Sequence, residues 1–232
     1  ALLSVLGGAY GDIYLAQKNR PEGMKYFDFV MSEVHGLRIK ELMDAKAQGR
    51  KVIGSYCVFV PEELILAVDG VSVGLCAGAE FNFAGAEAVL PRNTCALIKS
   101  AFGFKLGKVC PYLEASDVVV GENTCDGKKK SYEILKPLVK DLYVMDLPQM
   151  KSDMGRALLK EEYRRFLGKL EAVSGRKVTA ASLKKGIEIV NAKRRAVKRL
   201  AALRAADPAP ISGLDALLVN QVFFYDDPLR FT

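Results

Sequence analysis

The segment Gly121-Glu122-Asn123-Thr124-Cys125-Asp126-Gly127-Lys128-Lys129-Lys130 carries the densest chemistry in the chain. It follows an apolar run, Asp117 to Val120, and precedes a helix-like stretch from Ser131 to Leu138. Cys125 therefore falls at the end of a predicted strand, just before a helix N-terminus. Backbone N–H groups and the positive end of a helix dipole favour negative charge there. A thiolate is such a charge, and it is the form of cysteine that ligates a metal or attacks a substrate. Four more cysteines, Cys57, Cys76, Cys95 and Cys110, can join it. No two stand as Cys-x-x-Cys, so zinc-ribbon and ferredoxin spacings are absent.

The elements that would position these thiols follow an alternating pattern. Strands are predicted at Lys51–Tyr56, Val71–Cys76, Asp117–Gly121 and Leu142–Asp146. Helices are predicted at Pro61–Val68, from an Asn93 cap to about Ala101, and at Ser131–Val139. Pro61 at the first turn, followed by Glu62 and Glu63, suits a helix start. Alternating strands and helices imply βαβ units and a parallel Rossmann or flavodoxin-like sheet. Ligands of such sheets gather at the carboxyl ends of the strands. Cys57 follows the first strand, Cys76 ends the second, Cys95 lies in a first helical turn and Cys125 follows the third strand. Those four converge on one edge. Cys110, followed by Pro111, sits in the loop before the third strand.

Two readings of the cysteines stand side by side. They are ordinary buried thiols, because free cysteine packs as a small hydrophobe. Or they share a metal or cluster, which the polar neighbours Arg92-Asn93-Thr94-Cys95 and Asn123-Thr124-Cys125-Asp126 favour. Thiolate-only ligation suits zinc or an iron–sulfur cluster. Five thiols are awkward for zinc, which takes four ligands. A net-anionic cluster would welcome backbone N–H groups and nearby lysines. Lys128 to Lys130 suit that role, or equally a solvated helix start. Glu122, Asp126 and Lys99 flank cysteines, and none is assigned as an acid or base.

Around this centre the chain divides into a helical lead-in over residues 1–50, an α/β region over 51–147 and a helical region over 148–232. The lead-in carries a predicted helix at Tyr26–Gln48, with Gly49 as its stop. Long helices are predicted at Lys151–Val173 and Thr179–Ala205, and a shorter one at Leu214–Val222. The single histidine, His35, leaves a Ser-His-Asp triad or a histidine metal site with no other source of imidazole. The net charge of +7 lies largely on helix-like segments after residue 150 without interleaved aromatics. That pattern describes a solvated helix face rather than a nucleic-acid surface. No run of 18 apolar residues suggests a membrane helix. Ala1 to Leu6 lacks the basic flank of a signal peptide. Five cysteines without such a signal point to a reducing, cytoplasmic setting. Gly74 to Gly85 lacks the Gly-Lys-Ser/Thr ending of a phosphate loop, so the chain itself is not expected to bind ATP.

Three motifs resemble one family. Tyr56-Cys57 followed by Pro61-Glu62-Glu63-Leu64 is similar to the first motif of the 2-hydroxyacyl-CoA dehydratase D-component family. Leu90-Pro91-Arg92-Asn93-Thr94-Cys95-Ala96-Leu97-Ile98-Lys99-Ser100 with Phe102-Gly103-Phe104 is similar to the second. Gly121 to Lys130 is similar to the third and is the most specific. Leu75-Cys76 and Cys110-Pro111-Tyr112 resemble the branch of double-cubane cluster proteins. The resemblance implies that Cys57, Cys95 and Cys125 hold a 4Fe–4S cluster. In the double-cubane branch, Cys76 and Cys110 would be further ligands of an 8Fe–9S unit, with a sixth ligand outside this chain. It implies a dimeric protein, homo- or heterodimeric, fed by a separate ATP-hydrolysing 4Fe–4S reductase and acting on a small molecule. It also implies a second α/β domain after the helical region, so the sequence is expected to be the first half of a two-domain protein. The expected activity is low-potential reduction. The alternatives are radical dehydration of a 2-hydroxyacyl-CoA, or cluster transport without catalysis.

Overall fold

The computed structural model describes residues 7–75 and 78–232. Four strands, β1 (Val52–Ser55), β2 (Val71–Gly74), β3 (Val118–Glu122) and β4 (Leu142–Met145), form a parallel sheet in the order β2-β1-β3-β4. Ile53 of β1 pairs with Ser72 on one side and Val118 on the other, and Val120 of β3 pairs with Tyr143. All five residues of β3 are buried, as are the first three of β1. A parallel sheet covered on both faces has this continuous burial, which explains why Val118-Val119-Val120 shows no alternation.

Helices α1 (Met24–Ser32) and α2 (Leu37–Ala47) precede the sheet, and α3 (Glu62–Ala67) joins β1 to β2. Between β2 and β3 lie α4 (Phe83–Glu87), α5 (Ala96–Leu106) and α6 (Pro111–Ala115). Helix α7 (Asp126–Leu135) joins β3 to β4, and α8 (Asp153–Ser174), α9 (Ala180–Leu203) and α10 (Gly213–Val222) complete the chain. No helix among the described residues is long and apolar enough to cross a membrane.

Residues 41–187 form one compact unit. Its core joins Ile53, Val118, Val120 and Met145 of the sheet to Ile65 of α3 and to Phe166 and Leu170 of α8. Phe166 and Leu170 stand four residues apart, so they share one helix face. Helix α8 starts where Ser152 accepts the Gly155 N–H at 3.1 Å, and it stops at Gly175, whose φ of +70° suits glycine.

Residues up to Lys40, together with Glu188–Thr232, form the other unit. Met24 and Val30 of α1 pack there with Leu218, Val219 and Val222 of α10 and with Phe231. The Arg20 guanidinium joins Asp28 at 2.9 Å to the buried Asp215 at 2.8 Å.

Three local differences from expectation have physical causes. The predicted helix over Tyr26–Gln48 is two helices, because the chain turns at residues 33–36, with His35 in the turn. The Glu33 carboxylate accepts the Leu37 N–H at 3.1 Å, and this starts α2 afresh. Helix α7 begins at Asp126 rather than Ser131, so the lysine triplet lies inside its first turns. The five-residue helices α4 and α6 are too short to show a helical period.

Candidate functional site

Strand β1 neighbours β2 on one side and β3 on the other, and β3 leads on to β4. The chain therefore reverses its direction of travel across the sheet between β1 and β3. A crevice opens outside the carboxyl ends of strands at such a point. The Tyr56 N–H bonds the Val120 carbonyl at 2.9 Å, which pins the chain beyond β1 against β3. Cys57 follows with φ of +68°. A side chain other than glycine is strained there by about 1–3 kcal/mol, and such strain collects at functional sites.

Cys125 is held by a loop that its neighbours preform. Asn123 donates to Asp146 at 2.8 Å and accepts the Leu147 N–H at 2.8 Å, which ties the loop to the end of β4. The Glu122 carboxylate accepts the Thr124 N–H at 2.9 Å. Cys125 then caps α7, its sulfur accepting the Lys128 N–H at 3.4 Å. Cys95 is the residue before α5, and Lys99 secures the approach to it by holding Glu87 at 2.9 Å and the Arg92 carbonyl at 3.1 Å. The first turns of α5 and α7 touch: a Cβ placed on Gly127 would stand 3.1 Å from Ile98 Cδ1. Cys95 and Cys125 thus occupy two adjoining helix starts, and both are exposed.

Beneath them lies a buried polar network. Glu122 is fully buried at the end of β3 and forms an ion pair with the Lys128 ammonium. The Glu122 N–H donates to the Tyr132 hydroxyl at 3.1 Å. The Tyr132 ring covers Gly121 so closely that a Cβ there would run into it. Burial, aided by the charges of Glu122 and Cys57, pushes the Tyr132 phenol up to about 12. Burial would lower the Lys128 ammonium, but the bond to Glu122 and the charges of Glu122 and Cys57 outweigh it and hold the pKa above its ordinary value. An apolar cavity of ≈ 60 Å³ lies between Cys57 and α5 and α7, walled by Tyr56, Ile98, Phe102 and Tyr132, with Lys128 at its side.

The structure therefore brings Cys57, Cys95 and Cys125 to one end of the sheet. Cys110 stands elsewhere, beyond the far end of α5. The neighbouring Val109 N–H bonds the Phe104 carbonyl at 3.2 Å, and the 11 residues of α5 separate it from Cys95. That helix spans about 16 Å. Cys110 caps α6, accepting the Leu113 N–H at 3.4 Å, and burial raises its thiol pKa. Cys76 lies outside the described residues; Leu75, which precedes it, bonds through its N–H to the Ser55 carbonyl at 2.9 Å. Of the flanking residues, Asp126 is exposed and pairs with Lys129 at 3.7 Å, so it and Lys99 serve the helix starts. The distinct place of Lys128 within the triplet, and the part of Tyr132, were not visible in the sequence. The hint was Gly121, a residue without a side chain directly after three β-branched valines of the strand.

Among the described residues, no three His, Cys, Asp or Glu side chains gather closely enough for a single metal ion. A tetrahedral zinc needs such a gathering. A polynuclear iron–sulfur cluster meets each thiolate with a different iron, so separated thiols, Cys95 and Cys125 at adjoining helix starts and Cys57 after β1, fit it better.

A parallel sheet with Cys57 after β1, Cys125 after β3 and a buried Glu122–Lys128 pair at its carboxyl end defines an α/β protein with its polar chemistry at the switch point. The chain belongs to the 2-hydroxyglutaryl-CoA dehydratase D-component family, which matches residues 57–232. It is 40% identical over 189 residues to the putative dehydratase subunit YjiM of Escherichia coli, covering 81% of this chain and 49% of that protein. The (R)-phenyllactyl-CoA dehydratase beta subunit of Clostridium sporogenes is 27% identical, over 79% of this chain and 49% of the relative. A benzoyl-CoA reductase subunit of Thauera aromatica is 26% identical, over 73% and 44%. The chain thus spans about half the length of the curated relatives it matches.

Proposed function

We propose that this chain is the cluster-bearing part of a 2-hydroxyacyl-CoA dehydratase-type subunit, with a 4Fe–4S cluster on Cys57, Cys95 and Cys125. What supports the reading is the placement of Cys57 just after β1, beside the Lys128 ammonium, and of Cys95 and Cys125 at the starts of two helices whose first turns adjoin. Helix starts and a fixed cation stabilise an anionic, thiolate-held group. When bound, the cluster would supply single electrons at low potential to a small acyl-CoA substrate. The chain's own residues present the three thiols, fix the loop through Asn123, and exclude water from below with Tyr56, Phe102 and Tyr132. The partners of this reading are a second subunit and a separate ATP-hydrolysing 4Fe–4S reductase, in a cytoplasmic setting.

A second reading is a low-potential reductase with an 8Fe–9S double cubane that also uses Cys76 and Cys110. What favours it is the resemblance of Leu75-Cys76 and Cys110-Pro111-Tyr112 to the double-cubane branch. The position of Cys110 beyond the far end of α5 ranks it second. The test is anaerobic purification, iron and acid-labile sulfide quantification, and electron paramagnetic resonance of the reduced protein. About four irons per chain, retained in Cys110→Ser, supports the first reading. About eight irons, reduced by that substitution, supports the second. Folded protein without iron would overturn both.

A further inference from the structure

The lysine triplet Lys128-Lys129-Lys130 looks uniform in sequence, but its members differ in the fold. The Lys129 side chain is 47% exposed and pairs with the solvent-facing Asp126. Lys130 is 79% exposed and pairs with Glu133 one turn on. Lys128 is 18% exposed and turns inward onto Glu122, a carboxylate with no exposure at all. A buried carboxylate is costly unless a cation meets it, so the pair fixes where the ammonium sits. The backbone of the same residue donates its N–H to Cys125, and its side chain borders the cavity beside Cys57. One residue therefore reaches two of the three thiols by two different routes.

We propose that Lys128 is a positioning residue that sets the reduction potential of the group held by Cys57, Cys95 and Cys125, with Glu122 as the buried anchor that aims its charge. The inference rests on the cluster assignment made above. A fixed positive charge in a low-dielectric setting favours the reduced, more negative form of its neighbour, and the effect falls steeply with distance and exposure. Lys128 is desolvated and aimed, so it acts strongly. Lys129 carries the same formal charge one residue away and acts weakly, because solvent screens it. Glu122 offsets part of the Lys128 charge.

The test compares Lys128→Met, Lys128→Arg, Lys129→Met and Glu122→Gln with the unaltered protein, all purified anaerobically. Iron per chain is measured first, and the midpoint potential then by redox titration with electron paramagnetic resonance at one fixed pH. The expected result for Lys128→Met is at least a tenfold lower ratio of reduced to oxidised cluster at a given potential, which for one electron is about 59 mV downward. Lys128→Arg restores most of the difference, Lys129→Met moves it little, and Glu122→Gln moves it upward. If Lys128→Met loses its iron while Lys128→Arg keeps it, the charge at this position is again what the site requires. Loss of iron in both, equal shifts in Lys128→Met and Lys129→Met, or no shift in a fully loaded Lys128→Met would overturn the inference. Unaltered protein that binds no iron would instead sink the cluster assignment itself.

Discussion

The two ends of the sheet use the same chemistry to opposite purposes. At the amino end, Asp117 accepts the Val52 N–H at 3.0 Å and meets the ammonium groups of Lys140 at 2.9 Å and Lys46 at 3.1 Å. Lys46 also donates to the Ala115 carbonyl at 2.6 Å. The carboxylate, two cations and strand N–H satisfy one another, and the cluster closes. At the carboxyl end, Glu122 and Lys128 also pair, but the groups above them are thiols that each helix start leaves exposed. One end spends its polar groups on locking β1 to β3, and the other holds a pair beneath an unfinished surface. A carboxylate–lysine pair is thus no sign of function by itself, and what stands next to the pair decides.

The contrast is broken most severely through the thiols. Cys57→Ser, Cys95→Ser and Cys125→Ser are expected each to abolish most iron binding while leaving the circular dichroism unchanged. Asp117→Asn should leave iron content intact, because it sits at the other end. Iron content comparable to the unaltered protein in all three cysteine variants would remove the functional distinction between the ends.

Stability should rank the two carboxylates. Glu122→Ala leaves the largely enclosed Lys128 ammonium without its anion, and a broken buried pair costs about 3–5 kcal/mol. Asp117→Ala orphans the buried Val52 N–H, which costs about 1–3 kcal/mol, while the 70% exposed Lys140 simply turns to solvent. Urea unfolding of the cluster-free protein measures both. The reverse order would mean that the amino end, not the thiol end, is the stiffer.

Acid sharpens the comparison further. Burial would raise the Asp117 carboxyl, but its bonds to the Val52 N–H, Lys140 and Lys46 outweigh that and hold its pKa below the ordinary value. A carboxyl depressed by folding contributes stability that is complete above its unfolded pKa of about 4 and is lost as pH falls through the folded value. The gap between the unaltered protein and Asp117→Asn should therefore be widest near neutral pH and shrink as pH drops below about 4. A gap that stays constant to low pH would show that Asp117 acts through shape alone.

The smallest expected effect is at Cys57, whose φ of +68° glycine adopts freely. Cys57→Gly should stabilise the cluster-free protein by up to about 1 kcal/mol while removing iron. A loss of stability would show that the thiol's packing against the apolar cavity outweighs the relief of strain.

The sheet was legible because a parallel strand buried on both faces writes itself as an apolar run, and Val118-Val119-Val120 is such a run. The place of Cys57 after β1 and of Cys95 and Cys125 beside helix starts was legible because an alternating α/β pattern marks its strand ends and helix starts in the sequence. The details that give the site its character were not. Sequence capped α5 at Asn93 rather than Cys95 and left the lysine triplet ahead of α7 rather than inside it, since a cysteine is an unusual helix cap. It could not distinguish Lys128 from Lys129 and Lys130, because which of three adjacent lysines turns inward depends on Glu122 lying beneath. The displacement of Cys110 depends on α5 ending where Val109 turns back onto Phe104, a contact that local sequence does not encode.

The seat of Tyr132 over Gly121 has a consequence for how this protein can change over generations. A would-be Cβ at 121 would overlap the ring, so position 121 cannot drift first: a larger residue there must wait for a smaller one at 132. The two form a single heritable character, although they stand apart in the gene product. A crossover that splits them, joining this chain's residues up to Cys125 to a relative with a different residue at 132, would bring together halves that never shared a history at that contact.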